Sequence, residues 1–170
     1  MEDNPMREIR IEKVTLNIGC GGDLQKIERA KRLLEILSNQ KPTVTLSKKR
    51  STFGIAKGKP VGVKVTLRKN KAKEFFEKVL KAFDNKVTTK QIDDEGNINF
   101  GIKEYIDLPG VKYSHEVGML GLDVAVTLER KGYRVKRRKI KKSKIGKKHK
   151  INKIEVIDWL KRNYGVEIVE

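Results

Sequence analysis

The chain has 170 residues, enough for one domain with a sizeable core and not comfortably for two. Forty Lys+Arg against 22 Asp+Glu give a formal charge of +18. That argues against a freestanding metabolic enzyme and favours a phosphate-rich partner, nucleic acid before a membrane surface. A single cysteine, Cys20, excludes an intrachain disulfide and a Cys-based zinc finger and fits a reducing cytosol. No apolar run approaches the roughly 18 to 20 residues of a membrane span, and the acidic, polar start at Met1 lacks the apolar stretch of a signal peptide.

Residues 9–18 read as a strand whose phase slips once, from Ile9 and Ile11 to Val14, Leu16 and Ile18, which suggests a bulge. Lys13, Thr15 and Asn17 then share its polar face. Gly19, Gly21 and Gly22 follow, with Asp23 as a helix N-cap. This is no dinucleotide fingerprint, since Leu24 stands where a third glycine is required. Cys20 has no histidine near it in sequence and reads as a packed thiol rather than a nucleophile. Leu24, Ile27, Ala30, Leu34 and Leu37, joined by Leu33 and Ile36, recur at helical spacing, with Lys26, Arg29, Lys31 and Arg32 elsewhere on the surface.

Residues 40–68 form two period-2 segments around a loop of Gly, Lys and Arg. Val44 and Leu46 oppose Thr43, Thr45 and Ser47; Val61, Val63, Val65 and Leu67 oppose Gly62, Lys64, Thr66 and Arg68. The result is a long-looped hairpin with one apolar face and one hydroxylated, basic face. No carboxylate interrupts it, and such a surface suits RNA sugar and phosphate. Lys48, Lys49 and Arg50 open the loop. Phe53 follows among cations, as aromatics that stack on bases do. Gly54 and Gly58-Lys59 lie too close together for a phosphate loop, and Pro60 replaces its Ser/Thr.

Asn70 is placed as the cap of a second helix with Ala72, Phe75, Phe76, Val79, Leu80 and Phe83 on its core face. From Asp93 to Gly118 the charge inverts: Asp93, Asp94, Glu95, Glu104, Asp107 and Glu116 meet only Lys103 and Lys112, or −4. Such a surface is either solvated or meets a basic protein, since carboxylates avoid phosphate. His115 has no acid or nucleophile beside it and is no general base. Ile98, Phe100 and Ile102 alternate as a short strand; Leu122, Val124, Val126 and Leu128 form another. Residues 130–150 then carry thirteen Lys/Arg and no acid, a density expected to be disordered alone and open to nuclear localisation, membrane adhesion or docking on nucleic acid. Asn152 and Glu155 resemble a capping box before a last helix with Ile154, Ile157, Leu160 and Tyr164 in its apolar stripe, Val156 and a packing Trp159 beside them. Gly165 is a plausible stop and residues 166–169 a short apolar tail.

Several blocks together resemble the 5S rRNA-binding L5 family of large-subunit ribosomal proteins: Gln40-Lys41-Pro42, Thr45, Lys48-Lys49-Arg50, residues 60–68, and, in the same order, residues 16–19, 96–97, 101–104 and 121–124. The resemblance covers about residues 9–135. Compared with bacterial members, no long helix precedes the first strand and a basic segment is added at the end, which resembles the archaeal type. It implies 5S rRNA contacts at Asn17, Gln40, Phe53 and Thr66. Thr45, Lys48, Lys49, Arg50, Lys64 and Arg68 share that surface, and Gln40 offers both ends of an amide. It further implies that the loop with Gly54, Lys57, Gly58 and Lys59 meets P-site tRNA. Asp107, Gly110, Tyr113, His115, Glu116 and Gly118 would bridge to a small-subunit head protein. Other rRNA falls to Arg134, Lys136, Arg137, Arg138 and Lys139.

These readings converge on an α+β fold, an antiparallel sheet with helices on one face in an RNA-recognition-like two-layer sandwich. Residues 1–135 are expected as an RNA-binding domain, with 136–170 a basic segment and helix packed on or extending it. The expected partners are 5S rRNA, large-subunit rRNA, P-site tRNA, the small-subunit head protein and a neighbouring 5S-binding protein, without catalysis, cofactor, metal or membrane. An RNA-binding module outside the ribosome, such as a tRNA chaperone, shares the basic face and needs no acidic partner loop. A nucleotide-dependent enzyme needs an acid/base pair and a complete phosphate loop, which the sequence lacks.

Overall fold

The computed structural model describes residues 4–50, 52 and 54–169. Strands β1 (Ile9–Gly19), β2 (Thr43–Leu46), β3 (Pro60–Leu67), β5 (Ile98–Ile102) and β6 (Leu122–Arg130) form an antiparallel sheet in the order β2-β3-β1-β6-β5. With helices α1 (Leu24–Ser38), α2 (Lys69–Ala82), α3 (Arg134–Arg137) and α4 (Lys153–Tyr164), this is the expected α+β sandwich. Strands β4 (Lys86–Thr88) and β7 (Glu167–Val169) pair in parallel as a small second sheet. The short apolar tail at residues 166–169 thus supplies a strand, too short for its alternation to show. No described helix is long and apolar enough to cross a membrane.

The chain divides into two compact units, each discontinuous in sequence. One comprises Val14–Leu67 and Phe100–Ala125, the other Met1–Lys13, Arg68–Asn99 and Val126–Glu170. In the first, β1 and β3 pair without a break from Val14↔Leu67 to Gly19↔Gly62, and β3 also pairs β2 from Thr43↔Lys64. The register shifts between Thr45 and Leu46. Leu46 is consequently 58% exposed rather than apolar-face core. Helix α1 packs on β3 with Ile27, Ala30, Leu33 and Leu34 buried, and Val14, Leu16, Val63 and Val65 are buried on the strands. Leu24 and Ile36, expected in its stripe, are exposed, because seven apolar positions span more of the helix than one sheet can cover. Asp23 Oδ1 accepts from Gln25 N at 2.9 Å to start α1, and Asn39 in the left-handed region stops it, its N–H donating to Glu35 O.

In the second unit, α2 buries Ala72, Phe75, Phe76, Val79 and Leu80. It starts one residue before Asn70, with Arg68 in the cap position and no side-chain cap bond, so Asn70 is not its cap. Helix α4 has the expected Asn152–Glu155 capping box and ends at left-handed Gly165. Its buried residues are Val156 and Leu160; Ile154 is 73% exposed, so the stripe is rotated from the one expected. Trp159 packs edge-on against Tyr164 at 5.3 Å, which in turn meets Phe76 at 5.0 Å.

Candidate nucleic-acid interface

The strand registers of the first unit lay out a polar surface row by row. Thr43, Lys64 and Asn17 stand abreast across β2, β3 and β1, all three exposed. Thr66 faces Thr15, and Thr45 faces Gly62, which faces Gly19. Their neighbours one residue away, Leu16, Ile18, Val63, Val65 and Leu67, are buried, as the pleat requires. Gly62 has a steric reason to be glycine: a Cβ there would lie 2.5 Å from Ile18 O and 3.2 Å from Thr45 Oγ1. Gly62 is buried beside the Thr45 hydroxyl, and Gly19 opposite it is exposed.

Gln40 joins this surface just after α1. Its backbone is held by Ser38 Oγ, which donates to Leu34 O and accepts from Gln40 N at 3.2 Å. The side-chain amide makes no bond among the described residues and is available to a ligand. Beyond β2, the basic loop is pinned at its base by Ser47 N–H to Lys59 O (2.8 Å) and Gly58 N–H to Ser47 O (2.9 Å). Lys48, Lys49, Arg50, Gly54, Lys57 and Lys59 project from it, all exposed. Phe53 lies outside the described residues. Among the described residues, no side chain pairs with Lys48, Lys49, Arg50, Lys57, Lys59 or Lys64. These cations are electrostatically unspent.

Other expected site residues are engaged. Arg68 leaves β3 and pairs with Glu12 at 3.7 Å. Arg137 pairs with the same Glu12 and, at 2.7 Å, with Glu129, which also takes two bonds from Arg10. Glu129 is buried, so these arginines neutralise a carboxylate removed from water. The sequence held a signal for this: Glu129 is the acid immediately before the basic run, where the strand's alternation breaks. Arg134, Lys136 and Lys139 are exposed, and Arg138 donates to Lys141 O.

The basic segment, expected to be disordered alone, is tied to the rest of its unit by several side-chain contacts. Arg130 is buried; its guanidinium meets Glu155 at 2.8 Å and donates to His149 O and Lys150 O. Glu155 is partly buried, which raises its pKa, but hydrogen bonds from Arg130 and Asn152 N–H outweigh this and hold the carboxyl below its ordinary value. Tyr133 OH bonds His149 O and accepts from Ile151 N. Self-repulsion is overcome because one arginine of the run turns inward and finds an acid.

The acidic stretch divides in two. Asp93 is structural: its carboxylate accepts from Glu95 N, Asn97 N and Asn97 Nδ2 and closes a turn. In the other unit, Tyr105 is buried and its hydroxyl accepts from Ser114 N at 2.9 Å, tying down a loop that bends at Gly110 and Gly118. Asp107, Tyr113 and His115 are exposed on it, and Glu116 pairs with Arg32 of α1 at 3.0 Å. Cys20 is buried, and burial pushes its thiol pKa up, so it is inert.

Two family models match the chain: one described as ribosomal protein L5 over residues 4–55, and one as the ribosomal L5P family C-terminus over residues 60–155. Among curated relatives, a large ribosomal subunit protein uL5 of Nanoarchaeum equitans is 50% identical over 169 residues, covering 98% of this chain and 99% of its own. The protein of that name from Sulfurisphaera tokodaii is 47% identical over 98% of this chain and 96% of its own. The Archaeoglobus fulgidus protein is 47% identical over 93% and 89%.

Proposed function

Because this chain belongs to the ribosomal protein L5 family, archaeal type, we propose that the hydroxyl-and-lysine face of its β2-β3-β1 sheet is the surface that binds 5S rRNA. Membership itself makes the chain a structural, non-catalytic protein of the large ribosomal subunit, with rRNA as its partner. The observation that carries the finer reading is the row Thr43–Lys64–Asn17 with Thr15–Thr66 beside it, all on one side of a sheet whose other side is core. Hydroxyls and amides at Asn17, Gln40, Thr45 and Thr66 bond ribose 2′-OH groups and base edges. Lys48, Lys49, Arg50 and Lys64 neutralise phosphate.

The loop tip with Gly54, Lys57, Gly58 and Lys59 extends this reading to P-site tRNA, since its cations are exposed and no carboxylate accompanies them. The loop of Asp107, Gly110, Tyr113, His115, Glu116 and Gly118 is assigned to the small-subunit head protein, because its exposed acids repel phosphate. A neighbouring 5S-binding protein completes the assembly. The test is a footprint of 5S rRNA with wild-type protein and with Asp107→Lys/Glu116→Lys, run alongside light scattering of subunit joining. The sheet-face reading expects the double variant to give an unchanged footprint and weaker joining, most clearly at low salt. A lost footprint with normal joining overturns the assignment of both surfaces.

A further inference from the structure

Residues between 133 and 151, with Glu95, line a half-open pocket of about 560 Å³, within the range of small-molecule sites. Tyr133, Ile145 and Ile151 supply its apolar wall. Five lysines also line it, Lys142, Lys144 and Lys147 among them, against one carboxylate, Glu95, which stands 3.8 Å from Lys150. The walls are held in place before any ligand arrives. Tyr133 OH is saturated by His149 O and Ile151 N, leaving its ring as apolar surface, and the ring meets His149 edge-on at 5.8 Å. Ser143 N–H donates to Val135 O at 3.2 Å, and buried Arg130 holds the carbonyls of His149 and Lys150. A pre-formed site loses little entropy on binding.

We infer that this cavity receives one unstacked nucleotide of RNA, its base against Tyr133, Ile145 and Ile151 and its phosphates on the surrounding lysines. The chemistry selects that occupant. An apolar, aromatic wall takes the flat face of a base, and an excess of cations without a matching set of carboxylates takes the phosphates on either side. A duplex offers no free base, so the cavity is specific for a looped or bulged position. The inference rests on the chain being an RNA-binding ribosomal protein, and it uses residues separate from the sheet face.

Methyl NMR of the full-length protein tests it with three small probes: AMP, ribose 5-phosphate and N-acetyltyrosinamide. The expected result is a saturable shift of the Ile145 and Ile151 methyls by AMP, roughly fivefold or more tighter than by ribose 5-phosphate, the least that one stacked base contributes. Ile145→Trp, which fills the cavity and keeps every lysine, removes that advantage; the wild-type comparison stands even if this variant fails to fold. Equal binding of AMP and ribose 5-phosphate overturns the inference in favour of cations alone. N-acetyltyrosinamide binding as tightly as AMP overturns it in favour of a protein side chain. Either result with normal 5S rRNA affinity leaves the sheet-face reading standing.

Discussion

Two regions of this molecule are basic and free of acids in sequence, and they differ in what their charges do. In the β2–β3 hairpin and its loop, Lys48, Lys49, Arg50, Lys57, Lys59 and Lys64 have no partner among the described residues. In the segment from Arg130 to Lys150, Arg130, Lys131, Arg137 and Lys150 are each paired with a carboxylate. Free cations in a row are an electrostatic surface awaiting phosphate. The four cations closed on Glu8, Glu12, Glu95, Glu129 and Glu155 act as scaffold, while Lys142, Lys144 and Lys147 of the same segment line the cavity unpaired among the described residues. Arg68 and Arg137, both expected to meet RNA, are each paired with a carboxylate while remaining about half exposed.

The largest effect expected from this contrast is on binding. Replacing Lys48, Lys49 and Arg50 together by Ala removes three free cations and should weaken 5S rRNA binding about tenfold to a hundredfold at low salt. The melting temperature should stay put, as none of the three touches the core. The converse is Glu129→Ala, which strands Arg10 and leaves Arg137 with Glu12 alone. Removing one member of a buried pair costs about 3–5 kcal/mol; with both arginines about half exposed, about 1–2 kcal/mol is expected here, read as a fall of roughly 2–8 °C in melting temperature. Its 5S affinity should hardly change. If the two variants exchange phenotypes, the division between surface and scaffold is wrong.

A finer comparison lies within the sheet face. Thr66→Val keeps β-branching and removes one hydroxyl, and Gln40→Ala removes one amide. Each should weaken 5S binding by about 1–2 kcal/mol, as a desolvated RNA group loses its partner, with stability unaltered. A lower melting temperature at unchanged affinity would put these side chains in the core. The smallest effect concerns acid. Glu155 has a folded pKa below its unfolded one. Its contribution is therefore complete above the ordinary carboxylate range, about pH 4.3, and is lost as pH falls through the folded value. Glu155→Gln should thus lose less melting temperature than wild type between about pH 5 and pH 3. Identical acid profiles would mean that the Arg130–Glu155 pair contributes nothing to holding the basic segment.

What was legible in the sequence follows the same physics. The alternation of Val63, Val65 and Leu67 against Lys64 and Thr66 fixes both faces of β3, because period 2 allows no other assignment once one face is core. Asp23, Asn152 and Gly165 mark helix ends because their capping chemistry is local. Leu24, Ile36 and Ile154 were misplaced since a helix with more apolar positions than its partner covers does not announce which arc is buried. The pairing of β4 with β7 joins residues some eighty positions apart through three-residue strands, too short for a pattern. The order of the basic segment was hidden for another reason: one inward arginine among thirteen cations looks like the rest, and only its contact with Glu155 distinguishes it.

The central claim, that unpaired cations of the hairpin grip 5S rRNA through phosphate, is tested most directly by the salt dependence of that affinity. With about six phosphate contacts, log K against log salt should have a slope steeper than about −4, taking roughly 0.7 per contact. The Lys48/Lys49/Arg50→Ala variant should flatten that slope by about 2, whereas Glu129→Ala should leave it unchanged. A wild-type slope near zero would contradict the account, because 5S rRNA would then be held by something other than these free charges.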